Sequence, residues 1–206
     1  MIRERSTLAP RLLMGVVAPA TNVTVQPEME ALRPEGVVNA HARIANPDQR
    51  VSSDTDTLAV RRAMVEGLMG ALDTLAPCQP DHVILGVMVE NFVGGGAAGE
   101  ALLREAATRA GCAVTDVSSS LLAALDALGI RCIGLLTPFM PVGDAAARRL
   151  FEEAGVEVVR LVGLRAPGPA AIGRVPLDRI RDAVRELDGP DVEAVVQVGT
   201  NLPFAA

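Results

Sequence analysis

The sequence has no tryptophan, no tyrosine and only four phenylalanines. Surfaces for base stacking are therefore scarce. With 19 basic against 25 acidic residues, a formal charge of −6 and no Lys/Arg block, nucleic acid is excluded as a partner. Long apolar runs are also missing: although half the residues are apolar, each stretch is interrupted well before the roughly 18 to 20 residues a membrane span requires. The opening "MIRERSTLAPRLLMG" lacks the uninterrupted apolar segment of a secretory signal. These absences give the expectation of a cytoplasmic protein with no membrane partner.

Cysteine is nearly absent too. Cys78, Cys112 and Cys132 are odd in number and widely spaced, with no CxxC, and only His41 and His82 could join them as soft ligands. Neither a disulfide framework nor a metal site is expected, and the three read as reduced thiols. With so few aromatics, Leu, Val, Ile and Ala must fill the core. Some of the aliphatic excess is available for a subunit interface, whose centre is more apolar than ordinary surface.

What is present is an alternation of short apolar runs and helical patterns. "LLMGVVAP" (12–19), "HVILGVMV" (82–89), "IRCIGLLTP" (130–138), "VEVVRLVGL" (156–164) and "VEAVVQVG" (192–199) read as strands buried on both faces. Between them, 97–111, 118–129, 143–155 and 176–189 read as helices, and a further stripe of Val60, Met64, Leu68, Ala71, Leu72 and Leu75 repeats at helical spacing. Serines at 118–120 are expected to cap one helix and Gly129 to end it, and Pro176 fits the first turn of another. The class is α/β with parallel sheets.

"LLMGVVAP" and "RCIGLLTP" share an apolar pair, a glycine, two aliphatics and a proline, and "VILGVMVEN" and "VVQVGTN" each run into a Gly- and Asn-containing turn. The echo suggests two related halves, 1–116 and 117–206, packed as lobes with a cleft between the carboxyl ends of their sheets. Pro19, Thr21 and Asn22 follow one strand; Thr137, Pro138 and Phe139 follow another; Asp144 lies near the start of the next helix, where capping and catalysis are both open. Glu90 is the general acid or base best placed by position, with Asn91 beside it, ahead of three glycines that could expose N–H groups to an anion. His41 and Arg43, with Asp54 and Asp56 beyond them, form a polar loop cluster that could reach the cleft or simply pair at the surface.

"GVVAPATNVTVQPEMEALRPEGVVNAHARI" (15–44), "DHVILGVMVENF" (81–92), "LGIRCIGLLTPFMPVGDAAARRLFEEAGVEVV" (128–159) and "VEAVVQVGTNL" (192–202) resemble, in order and spacing, the maleate cis-trans isomerase and arylmalonate decarboxylase family of the aspartate/glutamate racemase superfamily. The resemblance implies two pseudo-symmetric, Rossmann-like lobes, a homodimer, no cofactor, and a small mono- or dicarboxylic acid held between the lobes. It implies ligand contacts at Pro19, Thr21, Asn22, Val87, Met88, Asn91, Pro138, Phe139, Gly199, Thr200 and Asn201. Phe139 stands where such proteins usually carry a tyrosine, so a hydroxyl donor is lost.

The family's racemases and isomerases use two facing cysteines, and its decarboxylases one, because a thiolate serves as nucleophile and base near neutral pH. Here those places match Val87 and Gly199, neither of which can transfer a proton. The expectation is a cysteine-independent lyase or hydrolase, with Glu90, His41 or Asp144 acting on the acid; the alternative is a small-acid binding protein without turnover. The family also continues past its second catalytic strand with a helix, a strand and a closing helix. These closing elements are expected to be missing here, through an incomplete chain or replacement by a neighbouring subunit.

Overall fold

A computed structural model describes residues 7–45, 48, 53–88 and 96–205. Its strands form two parallel sheets. The first contains β1 (Leu12–Pro19), β2 (Val37–Ile44), β3 (His82–Leu85) and β4 (Ala113–Asp116), in the order β2-β1-β3-β4. The second contains β5 (Cys132–Thr137), β6 (Glu157–Gly163) and β7 (Ala194–Gln197), in the order β6-β5-β7. The helices are α1 (Val25–Ala31), α2 (Asp54–Leu75), α3 (Gly96–Ala110), α4 (Val117–Leu128), α5 (Pro141–Glu153), α6 (Pro169–Ile172) and α7 (Leu177–Leu187). No described helix is long and apolar enough to cross a membrane.

Both faces of each sheet are covered, which is why the strands are apolar at consecutive positions. On one face of the first sheet, Val17, Ala42, Ile44, Val83 and Leu85 pack with Met64, Leu68, Leu72 and Leu75 of α2 and Leu102 and Ala106 of α3. On the other face, Val16 and Ala18 meet Val25 and Met29 of α1. The second sheet repeats the arrangement. Ile133 and Leu135 pack with Leu125 of α4 and Ala147 and Phe151 of α5, while Leu136 packs with Ile180, Ala183 and Leu187 of α7.

The repeated glycine of the two central strands has a packing reason. A Cβ on Gly15 would stand 2.6 Å from Cδ2 of Leu75 at the end of α2, and one on Gly134 would stand 3.0 Å from Cβ of Leu187 at the end of α7. Each glycine lets the helix preceding the third strand of its lobe lie close on the central strand. The lobes are pseudo-symmetric in this detail as well as in strand order, and the two-lobed parallel α/β architecture expected from the sequence is the one found.

Several local expectations need correction. Val37–Ile44, read as loop, is strand β2, so His41 and Arg43 are strand residues, and Asp56 helps open α2 through a reciprocal cap with Ser53. Asn39, His41 and Arg43 form the strand's polar face, alternating with Val38, Ala40, Ala42 and Ile44. Helix α1 also went unread, being only seven residues long. The cap of α4 is Asp116, which accepts from the Ser119 N–H, rather than a serine; Gly129 does end the helix in a left-handed conformation. Pro176 precedes the first turn of α7 as its cap.

Candidate functional site at the carboxyl ends of the sheets

In parallel sheets every strand delivers its carboxyl end to one edge, and the turns following β1, β3, β5 and β7 bring most of the expected site residues to a common junction. Asn22 is 2% exposed and links the lobes. Its Oδ1 accepts from the N–H groups of Thr24 and Val25, both at 2.9 Å, which holds the start of α1. Its Nδ2 donates to Thr200 Oγ1 at 3.1 Å. The Thr200 hydroxyl donates in turn to the Gly86 carbonyl at 2.6 Å, tying the turn after β7 to the turn after β3.

Asn201 makes a second link. Its Oδ1 accepts from Val23 N–H at 2.8 Å, its Nδ2 donates to the carbonyls of Pro169 and Thr21, and its own carbonyl accepts from Thr24 Oγ1 at 2.8 Å. The side chain therefore sits as a plug between the first lobe's β1–α1 turn and the second lobe's α6. Buried amides need such saturation, since an unpaired polar group would cost about 1–3 kcal/mol.

Beyond β3, Val87 and Met88 are both 5% exposed. Val87 joins the first lobe's core, whereas Met88 joins the second lobe's with Leu125, Val198 and Phe139. Glu90 and Asn91 lie outside the described residues. Beyond β7, Gly199 has φ +87, and a Cβ there would stand 2.6 and 2.7 Å from Cγ and Cδ of Pro138 and 3.3 Å from the tip of the Phe139 ring. Backbone conformation and space both select glycine at this point. The position matched to a cysteine is thus filled from outside by the turn after β5.

That turn is itself held by an ionic network. Thr137, fully buried, bonds the Asp144 carboxylate through its hydroxyl and accepts from Phe139 N–H at 3.1 Å. The other Asp144 oxygen pairs with Arg165, whose Nη1 also donates to the Phe139 carbonyl at 2.6 Å. Helix α5 starts at Pro141, so Asp144 lies within its first turn and does not cap it. Its carboxylate supports the Thr137–Phe139 turn, and the residue is 6% exposed. Its carboxylate is engaged on one side by the buried Thr137 and on the other by the part-exposed Arg165 guanidinium.

His41 is set apart from these groups. It lies on the face of β2 turned toward α1, where its Nε2 is 3.1 Å from Glu30 Oε1. The contact with His41 is the largest cause holding the Glu30 carboxyl below its usual range, followed by one with Asn39. Arg43, on the same face, donates to the carbonyls of Asn22 and Pro19 and to Gln26. The structure therefore brings Pro19, Thr21, Asn22, Val87, Met88, Pro138, Phe139, Gly199, Thr200 and Asn201 to the junction, with Asp144 behind the turn and His41 under α1.

Arg165 was missed as a site residue, and Arg43 was read only within the polar loop cluster. Arg43 lies near the end of β2 and Arg165 just after β6, the strands beside the central one of each sheet. No cysteine reaches the junction. Cys78 precedes β3, Cys112 precedes β4 and Cys132 opens β5, all at the opposite edge. Burial first, then the carboxylates of Glu193, Glu157 and Asp191, pushes the Cys132 thiol up, away from thiolate. Among the described residues no group of three or more His, Cys, Asp or Glu could hold a metal ion.

No family model matches the chain. It is 26% identical over 198 residues to a maleate isomerase of Nocardia farcinica, covering 89% of this chain and 74% of that one. Its structure superposes on the Nocardia farcinica maleate cis-trans isomerase bound to Tris with a TM-score of 0.81 at 22% identity, covering 93% and 79% of the two chains. The maleate isomerase of Pseudomonas putida gives 0.79 at 15% identity, covering 93% and 80%. Arylmalonate decarboxylase gives 0.67 at 18%, covering 92% and 78%.

Proposed function

Starting from a chain that has the fold of the maleate isomerases and arylmalonate decarboxylases and is related to them, we propose that the junction between segments 1–116 and 117–206 binds a small mono- or dicarboxylic acid without thiol chemistry. The observation that carries this is Gly199: its left-handed backbone and the Pro138 ring leave no place for a cysteine side chain. Val87, the other matched position, is a buried aliphatic. One solved relative is a Pseudomonas putida maleate isomerase variant with maleate, and another is a Nocardia farcinica variant with a covalently bound succinylcysteine intermediate. A succinylcysteine adduct needs a sulfur, which this junction does not supply.

Binding without turnover is the reading the geometry supports best. Asp144 is committed to Thr137 and Arg165, His41 faces α1, and the amides of Asn22 and Asn201 are spent on joining the lobes. A cysteine-independent lyase or hydrolase is the second reading. It is favoured by Glu90, two residues beyond the buried Met88, the carboxyl group nearest this strand end in sequence. The same resemblance makes a homodimer the proposed assembly, which light scattering on the purified chain tests directly.

A thermal-stabilisation screen with small mono- and dicarboxylates separates the readings, because a ligand that prefers the native state raises the apparent Tm. We expect stabilisation by at least one acid, and no isomerisation of maleate or racemisation of aspartate above background. Stabilisation without turnover supports binding alone. Turnover that survives replacement of all three cysteines and is lost in Glu90→Gln supports the second reading. No stabilisation by any acid at millimolar concentration would overturn both.

A further inference from the structure

A carboxylate withdrawn from water is costly unless a cation or several N–H donors meet it. The chain has no lysine, and its 19 basic residues are all arginine. Two guanidiniums are fastened to the turns that follow the central strands, one in each lobe. Arg43 holds the turn after β1, with Nη1 on the carbonyls of Pro19 and Asn22 and Nη2 on Gln26 Oε1. Arg165 holds the turn after β5, with Nη1 on the Phe139 carbonyl and on Asp144.

The two differ in what they have left to give. Both ends of the Arg43 fork are engaged, whereas among the described residues the Nε and Nη2 of Arg165 have no hydrogen-bond partner, although they carry three N–H donors. The Arg165 side chain is 41% exposed, so these donors are not sealed in the core. Its backbone adopts φ +55, an uncommon conformation for a residue with a side chain, and its guanidinium folds back over Gly163, occupying the place a Cβ there would take. Leu164 N–H donates to the Thr137 carbonyl and Ala166 N–H to the Pro138 carbonyl, so the residue is anchored on both sides to the β5 turn. The group is thus held at the carboxyl edge of the second sheet, hydrogen-bonded to the backbone of Phe139.

We propose that Arg165 is the ligand-specificity residue of this chain, meeting one carboxylate of the acid with its Nε and Nη2 while Nη1 stays on Asp144 and Phe139. This rests on the small-acid reading of the junction and names a residue through which that reading operates. Asp144 is then a positioning residue, aiming the fork.

The test is a binding titration on the purified full-length chain with succinate and butyrate as probes, alongside the Nε–H resonance of Arg165, assigned by its loss in Arg165→Gln. We expect succinate to shift that resonance. We expect Arg165→Gln to weaken succinate about tenfold, the weight of a charged hydrogen bond, and Arg165→Lys, which keeps the charge but loses the fork, to weaken it less. Because a lone substitution leaves Asp144 without its cation, the double variant Asp144→Asn/Arg165→Gln serves as the control for folding and should show the same loss. Succinate affinity within twofold of the native chain in a folded double variant, or an unmoved Nε–H signal at saturation, would overturn the assignment while leaving the small-acid reading intact. If neither probe binds the native chain, the reading on which the assignment rests fails for these acids, and the assignment fails with it.

Discussion

The two edges of the parallel sheets are chemically unlike. At the amino-terminal edge stand all three cysteines, beside Cys132 a cluster of carboxylates, and a strand start held by Glu193, which accepts from the N–H groups of Arg131 and Cys132. At the carboxyl edge stand two buried asparagines, two buttressing arginines and no thiol among the described residues. The contrast teaches that a cysteine's place along its strand decides which groups it can meet: all three thiols here lie at the edge away from the junction. A parallel sheet brings one edge to its neighbouring lobe, and a thiol at the other edge is a whole strand length away.

The most disruptive way to erase the difference is to install a cysteine at the carboxyl edge. Gly199→Cys places a Cβ against Pro138 and forces a side chain into a left-handed backbone, at a cost of about 2–5 kcal/mol. A urea titration should show the midpoint falling, and no maleate isomerisation should appear. Unchanged stability would mean that the turn is pliable and that glycine is not dictated there.

Asn201→Ala cuts the plug between the lobes. It strands the Val23 N–H and the Thr21 and Pro169 carbonyls, for a loss of roughly 2–3 kcal/mol, and exposure of the 20–25 turn should follow. Hydrogen exchange across that segment measures it; protection equal to the native chain's would show that the lobes are held by other contacts. Asp144→Asn keeps the shape but removes the charge facing Arg165. Because Arg165 is well exposed, the penalty should be only about 1 kcal/mol, read as a small drop in Tm.

The gentlest perturbation lies at the opposite edge. The Glu193 carboxyl is held below its usual range first by the Arg131 N–H and then by the Cys132 N–H. A depressed folded-state pKa means a contribution to stability that is complete above the ordinary glutamate range and fades as the pH falls through the lower, folded value. Glu193→Gln should therefore be less stable than the native chain near neutrality, with the gap narrowing in acid. A gap independent of pH would remove the carboxylate from the account. Replacing all three cysteines should leave binding of small acids untouched.

Much of the fold was legible because burial on both faces writes itself as unbroken Val, Ile and Leu. "LLMGVVAP" and "CIGLLT" announced their strands, and the repeated glycine announced a duplicated packing contact that Leu75 and Leu187 complete. Strand β2 was illegible for the converse reason. Its Asn39, His41 and Arg43 are hydrogen-bonded to α1, so three of its eight positions are polar, and His41 and Arg43 were read as part of a loop cluster. Asp144 was visible as a helix-start residue, but its partner Arg165 lies 21 positions away and no local pattern links them.

The sequence by itself determined the class of fold, the likeness between its halves and the want of a proton-transferring side chain at Val87 and Gly199, since these depend on residue type and order alone. The tertiary structure decided which polar groups are committed and which remain available. Asn22 and Asn201, ligand candidates by position, are drawn into lobe-joining bonds, while Arg165, inconspicuous in sequence, keeps two nitrogens without a hydrogen-bond partner among the described residues at the carboxyl edge. Hydrogen bonds between residues more than a hundred positions apart are set by how the lobes dock, because each buried polar group must find its partner there, and docking has no signature in any short stretch of chain.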